Sequence, residues 1–387
     1  MGKKFTDEEW NAYLKEHQAG FEGNPKHLRK ILEMDSWKWN EWRKENPDVE
    51  INLKGASLRN ANLQEAKLFG ANLQEADLFL ADLQEADLSM ASLQFANMSQ
   101  ANLQKAILNR SNLQKAMLNE AMLQETDLYK ADLQEANLSK AKMQKANLFQ
   151  AKMQNAELSE AKLQEVEFYE ANLQDAKLLW ADLQGAKLRN TNMQGAILSG
   201  ANIQGVRLRY TDLTRATVGG IKYKKKIKIG RFTIWAKNSI ESFRGTSVDS
   251  CKGDAVFKRY AQDQDFLEGF KELQPAWFYR PLYWLWKISS DCGQSMLLWM
   301  FWSIMFALIF AGVFFWLGES HFKPTELTFN LQSMIYYSVV TFTTLGFGDI
   351  IPKTNLAAWW VMAEVIVGYI MLGGLISIFA TKLARRS

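Results

Sequence analysis

From Leu53 to Val218 an apolar residue stands at every fifth position, thirty-four times without a break. Most are leucine; Met98, Met143, Met153, Phe168, Met193 and Ile203 are among the substitutes. Two residues before each comes a small or short residue, usually Ala, as at Ala61, Ala66 and Ala71 and on to Ala216. A period of five fits neither a helix at 3.6 nor a strand at 2. A repeat this regular predicts a solenoid. A second period overlies the first: Gln follows the core position at 64, 74, 84 and every ten residues to 204.

The C-terminal part is patterned differently. Met296 to Leu317 is a run of 22 residues without a charge. As a helix it is about 33 Å long, enough to cross a hydrocarbon core of about 30 Å. Leu356 to Thr381 is a second run, of 26 residues, with Glu364 as its one acid. Trp284, Trp286, Trp316, Trp359 and Trp360 lie near the ends, where amphipathic rings favour the headgroup zone. Arg280 and Lys287 precede the first run and Lys382, Arg385 and Arg386 follow the second; only Lys323 and Lys353 lie between. That bias places both termini in the cytoplasm of a multi-pass inner-membrane protein. Between the runs, Gly318 to Glu326 reads as an exposed turret. Phe329 to Val340 reads as a helix with Thr328 as N-cap. It is too short to span, so it is re-entrant, and its C-terminus aims partial negative charge at a cation. The stretch Thr341-Phe-Thr-Thr-Leu-Gly-Phe-Gly-Asp349 follows, with two glycines that permit backbone a side chain would hinder.

This arrangement resembles the two-transmembrane potassium-channel family across about 270–387. The resemblance implies a homotetramer with a selectivity filter at 341–349, in which backbone carbonyls replace the hydration shell of a potassium ion. It assigns the carbonyls of Thr344, Leu345, Gly346 and Phe347, with the Thr344 hydroxyl, as ion ligands, and Gly348 as the filter's second glycine. Thr341 and Thr343 belong to the filter motif, Asp349 caps the outer mouth, and Tyr336 and Tyr337 occupy the aromatic pair that braces the filter. Gly368 falls where the family often carries a hinge glycine, and Leu372 and Ile376 are candidate pore positions beyond it. Three residues depart from the family pattern. Phe347 replaces a commoner tyrosine, Leu345 a frequent valine, and Val340 takes a place where some relatives carry a glutamate. Glu364 is costly at membrane depth and so predicts a role. Either it faces protein behind the filter or near the cavity, or it lies near the outer interface and is solvated.

The pattern Ala-(Asp/Asn)-Leu-x-x resembles the pentapeptide-repeat family over the whole of 51–218. The resemblance implies a right-handed quadrilateral β-helix with four repeats per coil. Thirty-four repeats then give about 8.5 coils and, at about 4.8 Å per strand spacing, a rod about 40 Å long. Ten residues are half a coil, so the glutamines should stack as ladders on two opposite faces. Some members of that family look like acidic duplex DNA. Here Glu65, Glu75, Asp77 and Asp82 are balanced by Lys105, Lys115, Lys140 and Lys145, and the sustained negative field such mimicry needs is missing.

The remaining segments divide into 1–50, 219–295 and 296–387. Residues 1–50 read as a helical cap, with Trp37, Trp39 and Trp42 covering the open end of the solenoid. In 219–295, Lys222, Lys224, Lys225, Lys226 and Lys228 form a basic run suited either to anionic lipid or to closing the rod. Asp254 to Leu273 reads as an amphipathic helix joining rod to membrane, and Trp277 to Lys287 as an interfacial segment. The formal charge of +4 is too small to imply a nucleic-acid partner. No cleavable leader, no C-terminal gating domain beyond the second span and no voltage-sensing helix with spaced arginines is expected. Cys251 and Cys292 lack metal-ligand spacing and read as reduced packing residues. His17, His27 and His321 are isolated, no catalytic constellation is visible, and no organic cofactor is implied. The rival reading is a membrane-tethered scaffold whose rod recruits a protein partner. A third is a weakly selective cation channel, if Leu345 and Phe347 loosen the filter.

Overall fold

In a five-residue repeat with Asp before its core residue every backbone N–H can find an acceptor, and that accounting builds the first half of the molecule. In the repeat 131–135, Ala131 N–H closes a turn on Leu128 O at 3.0 Å. Asp132 N–H donates back to Ser111 O at 2.9 Å, while Leu133 and Glu135 donate forward to Lys152 O and Gln154 O at 2.7 and 2.9 Å. Gln134 N–H has no ladder partner, and the Asp132 carboxylate takes it at 3.3 Å. That local bond gives Asp or Asn its place before the core leucine. Glu135 sits at φ 57°, the left-handed value that a type II turn demands of its third residue. Parallel bridges join residues twenty apart, such as Asp132 and Lys152, so each coil holds four repeats. The thirty-four core positions are all buried, with the alanines packed beside them.

The computed structural model describes residues 4–18, 20–223, 226–229, 232–235, 243–248, 250–290, 295–324, 327–343, 345 and 348–384. The chain divides into two units, Met1–Glu268 and Gly269–Ser387. Three helices open the first: α1 (Asp7–His17), α2 (Pro25–Glu33) and α3 (Ser36–Glu45). Thr6 and Glu9 form a reciprocal cap at α1, and Asn24 caps α2 ahead of Pro25. Their side chains replace the coil that would precede the first one. Ser57 N–H donates to Gln18 Oε1 at 2.7 Å and Lys67 N–H to Asn40 Oδ1 at 2.8 Å. Gln18 Nε2 and Trp39 Nε1 donate to Ser57 O and Lys67 O, both at 3.0 Å. Trp39 is 1% exposed, whereas Trp37, expected to share in this cover, is 64% exposed. Two residues turn a helix by about 200°, which carries Trp37 to the far side of α3.

The stack does not stop at 218. Lys222 pairs with Asn202, and after an excursion Ser247 pairs with Asp212 and Lys252 with Thr217. Tyr223, Phe243 and Val248 continue the buried core column, and Cys251 takes an alanine place with its thiol on Leu213 O at 2.9 Å. Within the excursion, strands β1 (Lys226–Ile229) and β2 (Phe232–Trp235) form an antiparallel hairpin. Of the basic run, Lys222 is therefore a rung of the rod, Lys226 and Lys228 lie on β1, and Lys224 and Lys225 fall outside the described residues. Helix α4 (Ala255–Glu272) ends the stack. Its Phe257 and Tyr260 pack on Tyr223 and Phe243. Its carboxylates take edge amides: Phe243 N–H on Glu268 at 2.9 Å and Gly245 N–H on Asp265 at 2.7 Å. At several positions the glutamine columns differ from the ladders expected. Gln114, Gln164 and Gln194 donate to Asp132, Asp182 and Asp212 of the next coil at 2.9, 2.6 and 2.6 Å. These rungs are Gln–Asp pairs, because a carboxylate is the stronger acceptor within reach.

The second unit contains α5 (Ala276–Ser290), α6 (Met296–Leu317), a single 3-10 turn (Glu319–His321), β3 (Phe322–Pro324), α7 (Leu331–Phe342), β4 (Ile350–Pro352) and α8 (Asn355–Ala384). Strand β3 pairs antiparallel with β4, and Phe310, Phe314, Phe322, Met334, Tyr337 and Ile350 form one core beneath the pair. Only 22% of the most apolar stretch of α6, and 22% of that of α8, is buried. Helices this long, apolar and uncovered suit a lipid solvent. Cys292 lies outside the described residues.

Candidate functional site

Helix α7 starts two residues later than the sequence suggests and ends two later. Asn330 rather than Thr328 is the N-cap, its carbonyl oxygen taking Ser333 N–H at 2.8 Å. Ser333 in turn donates to Thr328 O at 2.6 Å. At the other end Thr341 and Phe342 complete the last helical turn, so the expected filter start at 341 is still helix. Thr343 is the C-cap: its hydroxyl and N–H both donate to Val339 O, at 2.7 and 3.0 Å. Leu345 N–H then closes on Val340 O at 3.0 Å. Of the proposed ion ligands, Thr344, Gly346 and Phe347 lie outside the described residues; Leu345 is exposed. Gly348 has φ 77°, a conformation glycine adopts without steric cost.

The two tyrosines of α7 part company. Tyr336 donates to the Asp349 carboxylate at 2.6 Å, which ties the helix to the far end of the segment. Tyr337 turns away and packs against Phe314 and Phe322. Neighbouring helical residues point about 100° apart, so one cannot follow the other. Val340 and Thr341 are buried.

Glu364 of α8 is wholly buried. It meets protein rather than water, with its Oε1 on the Ser338 hydroxyl of α7. Ser338 also donates to Ala307 O of α6 at 2.6 Å, so one side chain from each of two helices and a carbonyl of the third converge. No spacing rule in the sequence links residues 307, 338 and 364. Four residues further along α8, Gly368 faces the end of α7 with no room for a side chain. An added Cβ would fall inside 3.0 Å of the Phe342 carbonyl oxygen and 3.1 Å from its carbon. Nearby, Trp299 Nε1 donates to Met371 O at 2.6 Å. A cavity of about 280 Å³ is lined by Ala307, Val339, Phe342, Thr343, Gly368 and Leu372, among others. Ile376 is exposed one turn beyond Leu372.

Among the described residues no group of three His, Cys, Asp or Glu side chains is placed to hold a metal ion. The chemistry within reach is backbone carbonyl and hydroxyl chemistry at the end of a helix C-terminus, which favours cations.

Comparison with known proteins agrees with this division. Residues 302–385 match an ion-channel family (Ion_trans_2). Pentapeptide repeats match in eight copies across 49–84, 81–119, 111–150, 141–178 and 181–218. No curated protein matches. Among solved structures, the chain is similar to HetL, a pentapeptide repeat protein involved in heterocyst differentiation regulation from the cyanobacterium Nostoc sp. strain PCC 7120. The identity is 27%, over 55% of this chain and 93% of that one, with a TM-score of 0.37. It is similar also to QnrB1, a plasmid-mediated fluoroquinolone resistance protein, at 15% identity over 56% of this chain and 96% of that one, TM-score 0.36. A thylakoid-lumen pentapeptide repeat protein of Arabidopsis thaliana is 30% identical over 24% of this chain and 61% of its own, TM-score 0.18. The chain joins a pentapeptide-repeat segment to a segment of an ion-channel family.

Proposed function

We propose that four copies of this chain form a potassium-selective channel, and that the carbonyls of Thr344, Leu345, Gly346 and Phe347 with the Thr344 hydroxyl bind the dehydrated ion. One observation carries the reading. A twelve-residue helix, about 18 Å long and too short to cross, lies between two helices long enough to do so. It delivers the chain straight into Thr-Leu-Gly-Phe-Gly-Asp, within the segment that matches an ion-channel family. The helix C-terminus favours a cation there, and Tyr336 holds Asp349 as the outer post of the segment. In this reading the inner membrane holds the pore, and both termini face the cytoplasm. The repeats form a right-handed, four-sided rod on the cytoplasmic side, and the basic run of Lys222, Lys224, Lys225, Lys226 and Lys228 is the candidate for attracting anionic headgroups.

The test is ion flux from liposomes loaded with the purified full chain. Potassium should leave down its gradient and sodium should not. Equal passage of both would mark a weakly selective cation channel. No flux at any tested voltage, pH or lipid composition would overturn the channel and favour a scaffold built on the rod.

A further inference from the structure

We propose that Glu364 is held as the neutral acid, and that its proton bolts α8 to α7 and α6 behind the end of the re-entrant helix. The argument is a count of protons. The Ser338 hydroxyl has one, and two oxygens stand within its reach: Ala307 O at 2.6 Å and Glu364 Oε1. A backbone carbonyl can only accept. If Ser338 donates to Ala307, the proton in its contact with Glu364 comes from the carboxyl group. The other carboxyl oxygen, Oε2, is buried and has no hydrogen-bond partner among the described residues. A carboxylate would leave charge on that oxygen in apolar surroundings, whereas a neutral acid leaves only a carbonyl unmet.

Among the described residues, the elements packed around the carboxyl offer no counter-charge. Helix α6 has no ionisable side chain at all. Helix α7 carries two, and both are tyrosines: Tyr336 is engaged by Asp349, and Tyr337 is enclosed by Phe314 and Phe322. Helix α8 itself carries Tyr369, a neutral phenol, and Lys382; the nearest charged residues in sequence are Lys353, ahead of the helix, and Lys382, eleven and eighteen residues away. Ser338 lies on the last two turns of α7, ahead of the Thr343 C-cap, so the bolt fixes the height at which the helix hands over to the segment that follows. Glu364 is thus a positioning residue. Its neutrality stands apart from the channel reading, whereas its consequence for conduction rests on it.

The experiment uses the full chain in lipid nanodiscs and in liposomes, as wild type, E364Q, E364A and S338A. Infrared spectra from pH 5 to pH 8 should show a protonated-carboxyl carbonyl band that E364Q lacks and that S338A shifts. Glutamine supplies the same donor to Ser338, so E364Q should conduct within about twofold of wild type, while E364A and S338A should lose about tenfold or more. A carboxylate signature in place of the acid band at neutral pH would overturn the neutral form. Conduction lost equally in E364Q and E364A would overturn the bolt. Should wild type itself pass no ions, the channel reading fails alone: the infrared arm still decides protonation, and thermal unfolding still ranks E364Q against E364A.

Discussion

Gly368 and Gly373 lie on the same helix, five residues apart, and the same substitution should move them in opposite directions. A Cβ at Gly373 meets nothing within 4 Å. Replacing that glycine by alanine removes a helix-interior penalty of about 0.8–1 kcal/mol. The same gain is on offer at Gly368, but there the new methyl overlaps the Phe342 carbonyl group, with its carbon at 3.1 Å and Cα at 3.3 Å. Those are backbone atoms at the end of α7 and cannot swing aside as a side chain would. Helix α8 must move out, and overpacking of this kind costs about 1–3 kcal/mol. The helix term is common to both variants, so their difference isolates the overlap at about 1–3 kcal/mol. Thermal unfolding of the full chain in nanodiscs, followed by tryptophan fluorescence, should rank Gly373→Ala above wild type and Gly368→Ala below it. Under the proposed channel function, potassium flux should survive in the first and fall in the second, because the displaced atoms lead into the segment proposed to bind the ion. Equal melting of Gly368→Ala and Gly373→Ala would refute the close approach of α8 to α7.

Two further outcomes follow from the first unit. Leu133→Asp puts an unpaired carboxylate at a site with no exposure and should cost more than about 4 kcal/mol, whereas Leu133→Met should cost less than about 1.5 kcal/mol; urea denaturation followed by circular dichroism separates them. Burial, followed by the charges of Arg43 and Lys30, pushes the His27 imidazole below its ordinary 6.5, and its Nδ1 accepts the Asn52 N–H at 3.3 Å. A group whose pKa is depressed on folding contributes its full stability above the unfolded value and loses it as pH falls through the folded one. The first coil should therefore hold at pH 7 and loosen below about 6.5, and His27→Gln should flatten that slope in hydrogen exchange at Asn52.

Leu53 to Val218 is legible from sequence because one rule governs each position. Each core residue is buried for the same reason as the one five before it, so the period survives any tertiary detail. What the period cannot say is where stacking resumes after an interruption. Phe243 and Val248 look like scattered apolar residues until Tyr223 is seen to be the rung before them. The glutamine columns show a second kind of limit. Their spacing places them on opposite faces, but Gln114, Gln164 and Gln194 bond carboxylates one coil on, a choice made by acceptor strength. In the second unit, runs of apolar residues reveal helices, and Glu364 stands out as an acid among them. Its partners do not, since Ala307 and Ser338 meet it only through the packing of three helices. The N-cap falls at Asn330, two residues beyond the expected Thr328, because its side chain reaches Ser333 N–H.

The excursion between Tyr223 and Phe243 bears on how the rod can be altered. Ordinary rungs close a loop of twenty residues, as from Asn192 to Asp212, and the interrupted one closes thirty-five, from Asp212 to Ser247. Closure entropy grows only as the logarithm of length, so those added residues cost about 0.5 kcal/mol. A solenoid that absorbs such a detour and rejoins its own register has an insertion port at that corner. A fluorescent domain or affinity tag whose ends lie close together, spliced there, should leave the stack on either side intact.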